Sequence, residues 1–162
     1  MEKEEWVSAA EDDIQQSKSL AVRTLPLVAL RDLSVFPEMV LHFDIQRERS
    51  VQAVERAMTG SGELLVVTQR SAAVENPQAE DLYTVGTIVM IRQISRMKGK
   101  IVRVLAEGMT RVRVKELHTA GLDERVYLEA AVEVCEETSE LPENEQTARV
   151  SYIKELMGQY GL

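Results

Sequence analysis

The change of hydrophobic period between Leu25 and Met58 constrains this chain more than any other feature. Leu25 to Leu30 is an apolar run cut by Arg31-Asp32, Val40 to Ile45 is a second strand-like piece after Pro37, and beyond it the apolar period lengthens to that of a helix. Val51, Val54 and Met58 recur at spacings of three and four, on one helix face, with Glu48, Arg49, Gln52, Glu55 and Arg56 on the other. The order strand, turn, strand, helix predicts one amphipathic helix packed on a sheet, the simplest way to bury its apolar stripe.

Downstream the pattern is almost entirely that of strands. Gly60-Ser61-Gly62 stops the helix, Glu63 to Gln69 reads as a short buried strand, and residues 70 to 83 form a polar loop around Asn76-Pro77. Thr84 to Arg96 predicts a long strand that turns at Met97-Lys98-Gly99 and returns from Lys100 to Glu107. Gly108 permits a bend or bulge before a further strand, Thr110 to Leu117, and Gly121 marks the next turn. In the last strand, Val126, Leu128, Ala130, Val132 and Val134 alternate with Tyr127, Glu129, Ala131, Glu133 and Cys135, so one face is expected in the core. Six or seven strands, mostly in antiparallel hairpins, with one early helix, predict a mainly β, closed or nearly closed barrel, since closure removes exposed edges.

The 162 residues leave room for one domain with short appendages. Hydrophobic residues make up 44% and aromatic ones 4%, so the core is expected to be Val, Leu, Ile, Ala and Met. Residues 1–22, acidic and without a sustained period, read as a mobile extension in which Trp6 is the main apolar side chain. The β domain is expected over 23–135, and 136–162 form an acidic link followed by a helix. Ala148, Tyr152, Ile153, Leu156, Met157 and Tyr160 line one broad stripe of that helix. Two readings stay open for the stripe: it folds back on its own barrel, or it packs on a neighbouring chain. No stretch has the apolar length to span a bilayer, the amino terminus is acidic where a secretory signal would be basic then apolar, and Cys135 is the lone cysteine. A soluble chain in the reducing cytoplasm is expected.

Four segments, in order, resemble the amino-terminal, substrate-recognition domain of the ATP-dependent protease Lon. They are L-P-L-V-A-L-R-D with V-F-P-E-M-V from Leu25 to Val40, R-E-R-S-V-Q-A-V-E-R-A-M from Arg47 to Met58, L-Y-T-V-G-T-I from Leu82 to Ile88, and V-L-A-E-G-M-T-R-V-R from Val104 to Arg113. The resemblance covers roughly residues 23 to 135. It implies a PUA-like antiparallel pseudo-barrel, and a non-catalytic domain that binds unfolded or damaged polypeptides and supports a hexamer.

The search for chemistry in the residues themselves is mostly negative. The chain has no G-x-x-x-x-G-K-[ST] phosphate loop, and His42, His118 and Cys135 have no metal-ligand spacing, so no catalytic residue, cofactor or metal is expected and the chain alone is not expected to be an enzyme. In Lon the ATPase and the serine and lysine dyad lie in other domains. Three surfaces compete for binding. The loop Leu33 to Met39 sets Val35, Phe36 and Met39 around Pro37, and with Met97 these are the candidate contacts for apolar polypeptide segments, methionine being adaptable in such a role; the plainer alternative is that Phe36 and Met39 plug the barrel end. The helix entrance Arg47-Glu48-Arg49 is expected to form ion pairs within the domain.

The third surface is basic. Residues 92 to 115 hold eight bases, from Arg92 to Lys115, against the single acid Glu107, whereas 123 to 145 hold nine acids against Arg125. A nucleic-acid module using this hairpin is the alternative function, opposed by the net charge of -8, the few aromatics and the prospect that Glu129 and Glu133 neutralise Arg111, Arg113 and Lys115 across the sheet. A freestanding protein of the same domain family is the other alternative. Tyr152, Ile153, Leu156, Met157 and Tyr160 are the candidate oligomer contacts, and no membrane partner is expected.

Overall fold

The structure, a computed structural model, describes residues 22–135 and 141–161. The extension expected over 1–22, with Trp6, falls outside them except for Val22, which begins a strand, and most of the acidic link falls outside them too. The elements are β1 (Val22–Leu30), β2 (Val40–Ile45), α1 (Glu48–Thr59), β3 (Glu63–Thr68), β4 (Val85–Arg96), β5 (Val102–Ala120), β6 (Tyr127–Val134) and α2 (Glu143–Gln159).

The strands form one six-stranded sheet in the order β2-β5-β4-β3-β1-β6, and a further β5–β6 pairing closes it. Closure depends on the 19-residue length of β5. Its first part lies between β4 and β2, from Val102 to Glu107, and its last part, from Val112 to Ala120, pairs with β6. The two strands expected on either side of Gly108 are therefore one strand. The irregularity expected there is present as a register shift, in which Ile88 pairs with Thr110 and Val89 with Gly108, leaving Met109 bulged.

All pairings are antiparallel except β1 with β3, which run parallel because β2 and α1 form the crossover between them. These two strands are also the most buried, as their unbroken apolar runs require. Val28 and Leu30 with Leu64 and Val66 face one cluster that includes Ala53, Val54 and Ala57 of α1; Leu27 and Ala29 with Leu65 and Val67 face a second with Ile88, Val112, Ala130 and Val132. Tyr127, expected on the open face of β6, is 9% exposed and packs in the first cluster, so the end of β6 is covered on both faces.

Two expectations about the core are corrected. The buried face of α1 is Ser50, Ala53, Val54 and Ala57, while Met58 is exposed, because small side chains let the helix approach the sheet closely and rotate the stripe away from Met58. Among the described residues no methionine belongs to the fully buried core: Met39, Met58, Met97, Met109 and Met157 are exposed and Met90 is half-buried. Branched Val, Leu and Ile fill the regular spaces between strands, and the flexible thioethers stay at the surface.

No described residue of α2 is buried, and Tyr152, Ile153, Met157 and Tyr160 are exposed, with Leu156 half-buried. The stripe does not fold back on the barrel. No helix among the described residues is long and apolar enough to cross a membrane.

Candidate functional site

The loop between β1 and β2 is held at successive points by side chains and backbone from the motif segments. Thr68 Oγ1 donates to the Leu33 carbonyl at 2.7 Å, and Thr87 Oγ1, almost wholly buried, donates to the Val35 carbonyl at 2.6 Å. Glu38 N–H donates to the Gly108 carbonyl at 2.8 Å and Gly108 N–H to the Met39 carbonyl at 2.7 Å. A side chain at residue 108 would strike the Phe36 carbonyl, so the loop lies on β5 only because that residue is glycine. Gly86 has the same role against β3, where a Cβ would stand 2.7 Å from the Val66 carbonyl.

The segments V-F-P-E-M, V-G-T and A-E-G, far apart in sequence, therefore meet at one place. Glu38 is held there at φ +67, a left-handed conformation that a non-glycine residue adopts at some cost and that the surrounding hydrogen bonds enforce. The result is a fixed loop with an apolar outer surface. Phe36 is 54% exposed and Met39 36%, and Phe36 borders a cleft of about 140 Å³ with Tyr83, Val85 and Arg111. Tyr83 and Val85 are exposed as well, with the Arg70 guanidinium 4.9 Å from the Tyr83 ring centroid.

The expected contacts thus separate into three. Phe36 and Met39 form the exposed surface; neither is buried as a plug. Val35 is 8% exposed and belongs to the core, so it anchors the loop from beneath and offers no surface of its own. Met97 is exposed but sits at the β4–β5 turn, beyond the start of β5 at Val102 and away from Gly108, beside Val51, Gln52 and Glu55 of α1. The sequence alone does not single out Tyr83 and Val85, although both lie within the L-Y-T-V-G-T motif.

Half of the eight bases of the basic hairpin, Arg92, Arg96, Arg103 and Lys115, are paired with acids. Arg92 binds Glu107, Arg96 binds Glu55 at 2.7 Å, and Arg103 grips both Asp44 oxygens at 2.8 and 2.9 Å. Across the β5–β6 ladder Lys115 binds Glu133 at 2.8 Å, one of the pairs expected from the sequence, whereas Glu129 binds His118 at 2.7 Å, and Arg111 and Arg113 form no ion pair among the described residues. Hydrogen bonds from Arg103 and Lys115 hold the Asp44 and Glu133 carboxyls below their ordinary range. Arg47, expected to form an ion pair, instead donates to the Gln69 side-chain oxygen.

Among the described residues no cluster of His, Cys, Asp and Glu is placed to hold a metal ion, and Cys135 is a free thiol at the end of β6. A closed β-barrel carrying a rigid, outward-facing apolar loop is the framework of a recognition module. The profile of the ATP-dependent protease La (LON) substrate-binding domain matches residues 24–161, and the chain belongs to that family. It is 40% identical over 139 residues to the Lon protease of Lachnoclostridium phytofermentans and 37% identical over 138 residues to that of Clostridium acetobutylicum, in each case covering 85% of this chain. The chain spans 17% of the length of those relatives. Its fold is similar to the N-terminal domain of Mycobacterium avium complex Lon protease, with a TM-score of 0.64 and 21% identity over 85% of this chain and 67% of that one. It is similar also to a Lon N-terminal domain protein from Xanthomonas campestris, with a TM-score of 0.56 and 17% identity over 83% and 74% of the two chains.

Proposed function

We propose that this domain captures exposed apolar segments of unfolded or damaged polypeptides for a cytoplasmic, ATP-dependent Lon protease, and that Phe36 and Met39, flanked by Tyr83 and Val85, make the contact. The observation that carries the reading is the fixed apolar loop: Thr87 and Gly108, from two further motif segments, hold its backbone while Phe36 and Met39 are exposed. A rigid backbone lowers the ordering cost of binding, and methionine adapts to varied side chains. Capture by one such surface is weak, so the reading includes several tethered copies that raise the effective concentration of substrate. The exposed stripe of α2, with Tyr152, Ile153, Met157 and Tyr160, supports a contact between copies.

The test is fluorescence anisotropy with a labelled, permanently unfolded polypeptide. The double variant F36S/M39S is expected to weaken binding about tenfold or more, since two large apolar contacts are lost. Unchanged affinity in that variant overturns the assignment of the surface.

A further inference from the structure

Where β1, β2 and the start of α1 meet, a cleft of about 540 Å³ opens, and it is lined by groups that the capture surface does not use. Its floor is apolar, with Leu30, Leu33 and Phe43, and its rim carries Arg31, Arg47 and Ser50. Two carboxylates also border it, but each is matched: Glu75 accepts from Arg31 at 3.2 Å, and Asp44 is gripped by Arg103. Arg47 is half-buried, and its contact is the neutral amide of Gln69, with no carboxylate partner among the described residues. Burial, and then the neighbouring Arg31 guanidinium, push its pKa below the ordinary arginine value, against a smaller opposing pull from the Glu75 carboxylate.

The helix end adds to this surplus. Arg47 is the N-cap of α1 and provides no side-chain cap, so the helix starts without a side-chain acceptor from it, at a point where Arg47 and Ser50 line this cleft and Glu48 and Arg49 the adjoining one. Ser50 supplies a second and independent sign. It is 7% exposed, its hydroxyl makes no hydrogen bond among the described residues, and it borders both this cleft and the adjoining one. Every fully occluded side-chain donor and acceptor among those residues has a partner, so the Ser50 hydroxyl reaches open space, which lies where this cleft and the adjoining one meet.

We propose that this cleft binds a polypeptide carboxylate next to an apolar side chain, the carboxylate taken by Arg47, Ser50 and the α1 amides, the apolar group by Leu30, Leu33 and Phe43. This deepens the capture reading and rests on it, adding a charged recognition element separate from Phe36 and Met39.

The test uses the full 162-residue chain, ¹⁵N-labelled, and four probes: acetyl-Ala-Ala-Leu as the free acid, the same peptide as its amide, acetyl-Glu-Ala-Leu amide, and inorganic phosphate. The expected result is saturable shifts of the Glu48, Arg49 and Ser50 amides with the free acid or with the Glu peptide, and none with the uncharged amide. Response to the free acid assigns a chain terminus as the carboxylate source; response to the Glu peptide assigns an acidic side chain. R47Q is expected to weaken binding about tenfold and S50A about threefold, as for a charged and a neutral hydrogen bond. S50A removes a hydroxyl with no internal partner, so its fold is retained and its result stands even if R47Q disturbs the Gln69 loop. The proposal is overturned if neither carboxylate peptide shifts those amides, if the uncharged amide does so equally, or if phosphate saturates the site at the same concentration. A chain that ignores all four probes yet binds unfolded polypeptide through Phe36 sinks the carboxylate site alone, whereas loss of polypeptide binding in F36S/M39S with these shifts intact confirms that the two are separate.

Discussion

The barrel and α2 contain similar apolar residues and treat them in opposite ways. In β1 and β3 the side chains from Leu27 to Leu30 and Leu64 to Val67 are buried on both sheet faces, whereas α2 leaves Val150, Tyr152, Ile153, Met157 and Tyr160 exposed. The difference follows from connectivity. A parallel pair at the centre of a closed sheet meets neighbours on each edge and clusters on each face, while a lone helix has only whatever packs on it. Apolar side chains therefore stabilise the fold in the first region and offer contact in the second. The Phe36 loop lies between these extremes, with Val35 tied into the core and Phe36 turned outward.

The sharpest way to break the comparison is truncation on each side of it. Leu65→Ala is expected to cost about 3 kcal/mol in denaturant unfolding, because the side chain is fully buried and leaves a cavity. Ile153→Ala is expected to stay within about 0.5 kcal/mol. Equal effects would show that α2 is packed and that its exposure is not real in solution.

The intermediate region gives a smaller effect. Gly108→Ala drives a Cβ into the Phe36 carbonyl and is expected to cost about 2 kcal/mol, with resonances of Phe36 to Met39 shifting and the rest of the barrel unchanged. Wild-type stability in that variant would mean that the loop does not rest on β5.

The pH dependence of the barrel sharpens the comparison further. The hydrogen bond from Arg23 holds the Glu63 carboxyl below its ordinary value of 4.5. Its stabilisation is therefore complete above about pH 4.5 and is lost as pH falls through the lowered value. Arg23 is 41% exposed and water screens the pair, so the loss is expected to be about 0.5 kcal/mol, and Glu63→Gln is expected to flatten that part of the stability profile measured by thermal unfolding. Smallest in stability is Ile153→Asp, expected to leave the melting temperature unchanged while abolishing self-association in sedimentation velocity, if α2 joins copies as proposed.

Much of this architecture was legible because the period changes in the sequence are sharp. The β4–β5 hairpin, the single early helix and the alternation of β6 follow from spacing alone, and the run from Leu25 to Leu30 lacks the polar alternation of a half-exposed strand. What escaped depends on contacts between distant residues. A stripe at spacings of three and four fits Met58, but whether Met58 or Ala57 faces the sheet is decided by how closely the helix approaches. Val35 and Phe36 are both apolar neighbours in one loop, and which of them turns inward depends on how distant residues, Thr68, Thr87 and Gly108, hold the loop backbone. Tyr83 and Val85 join the surface through β4 pairing, with Gly86 as the local sign that backbones approach there. The charged lead Arg47-Glu48-Arg49 suggests an ion pair for Arg47, yet its partner, Gln69, arrives from just past the end of β3.

The most direct test of the capture surface is methyl NMR of the chain with ¹³C-labelled methionines, titrated with an unfolded polypeptide. Met39, within the surface, and Met109, next to the Gly108 staple, are expected to shift and broaden, while Met58 and Met97, at the α1 end of the barrel, stay in place. Shifts confined to Met58 and Met97, or no change in Met39 at saturating polypeptide, would contradict the account.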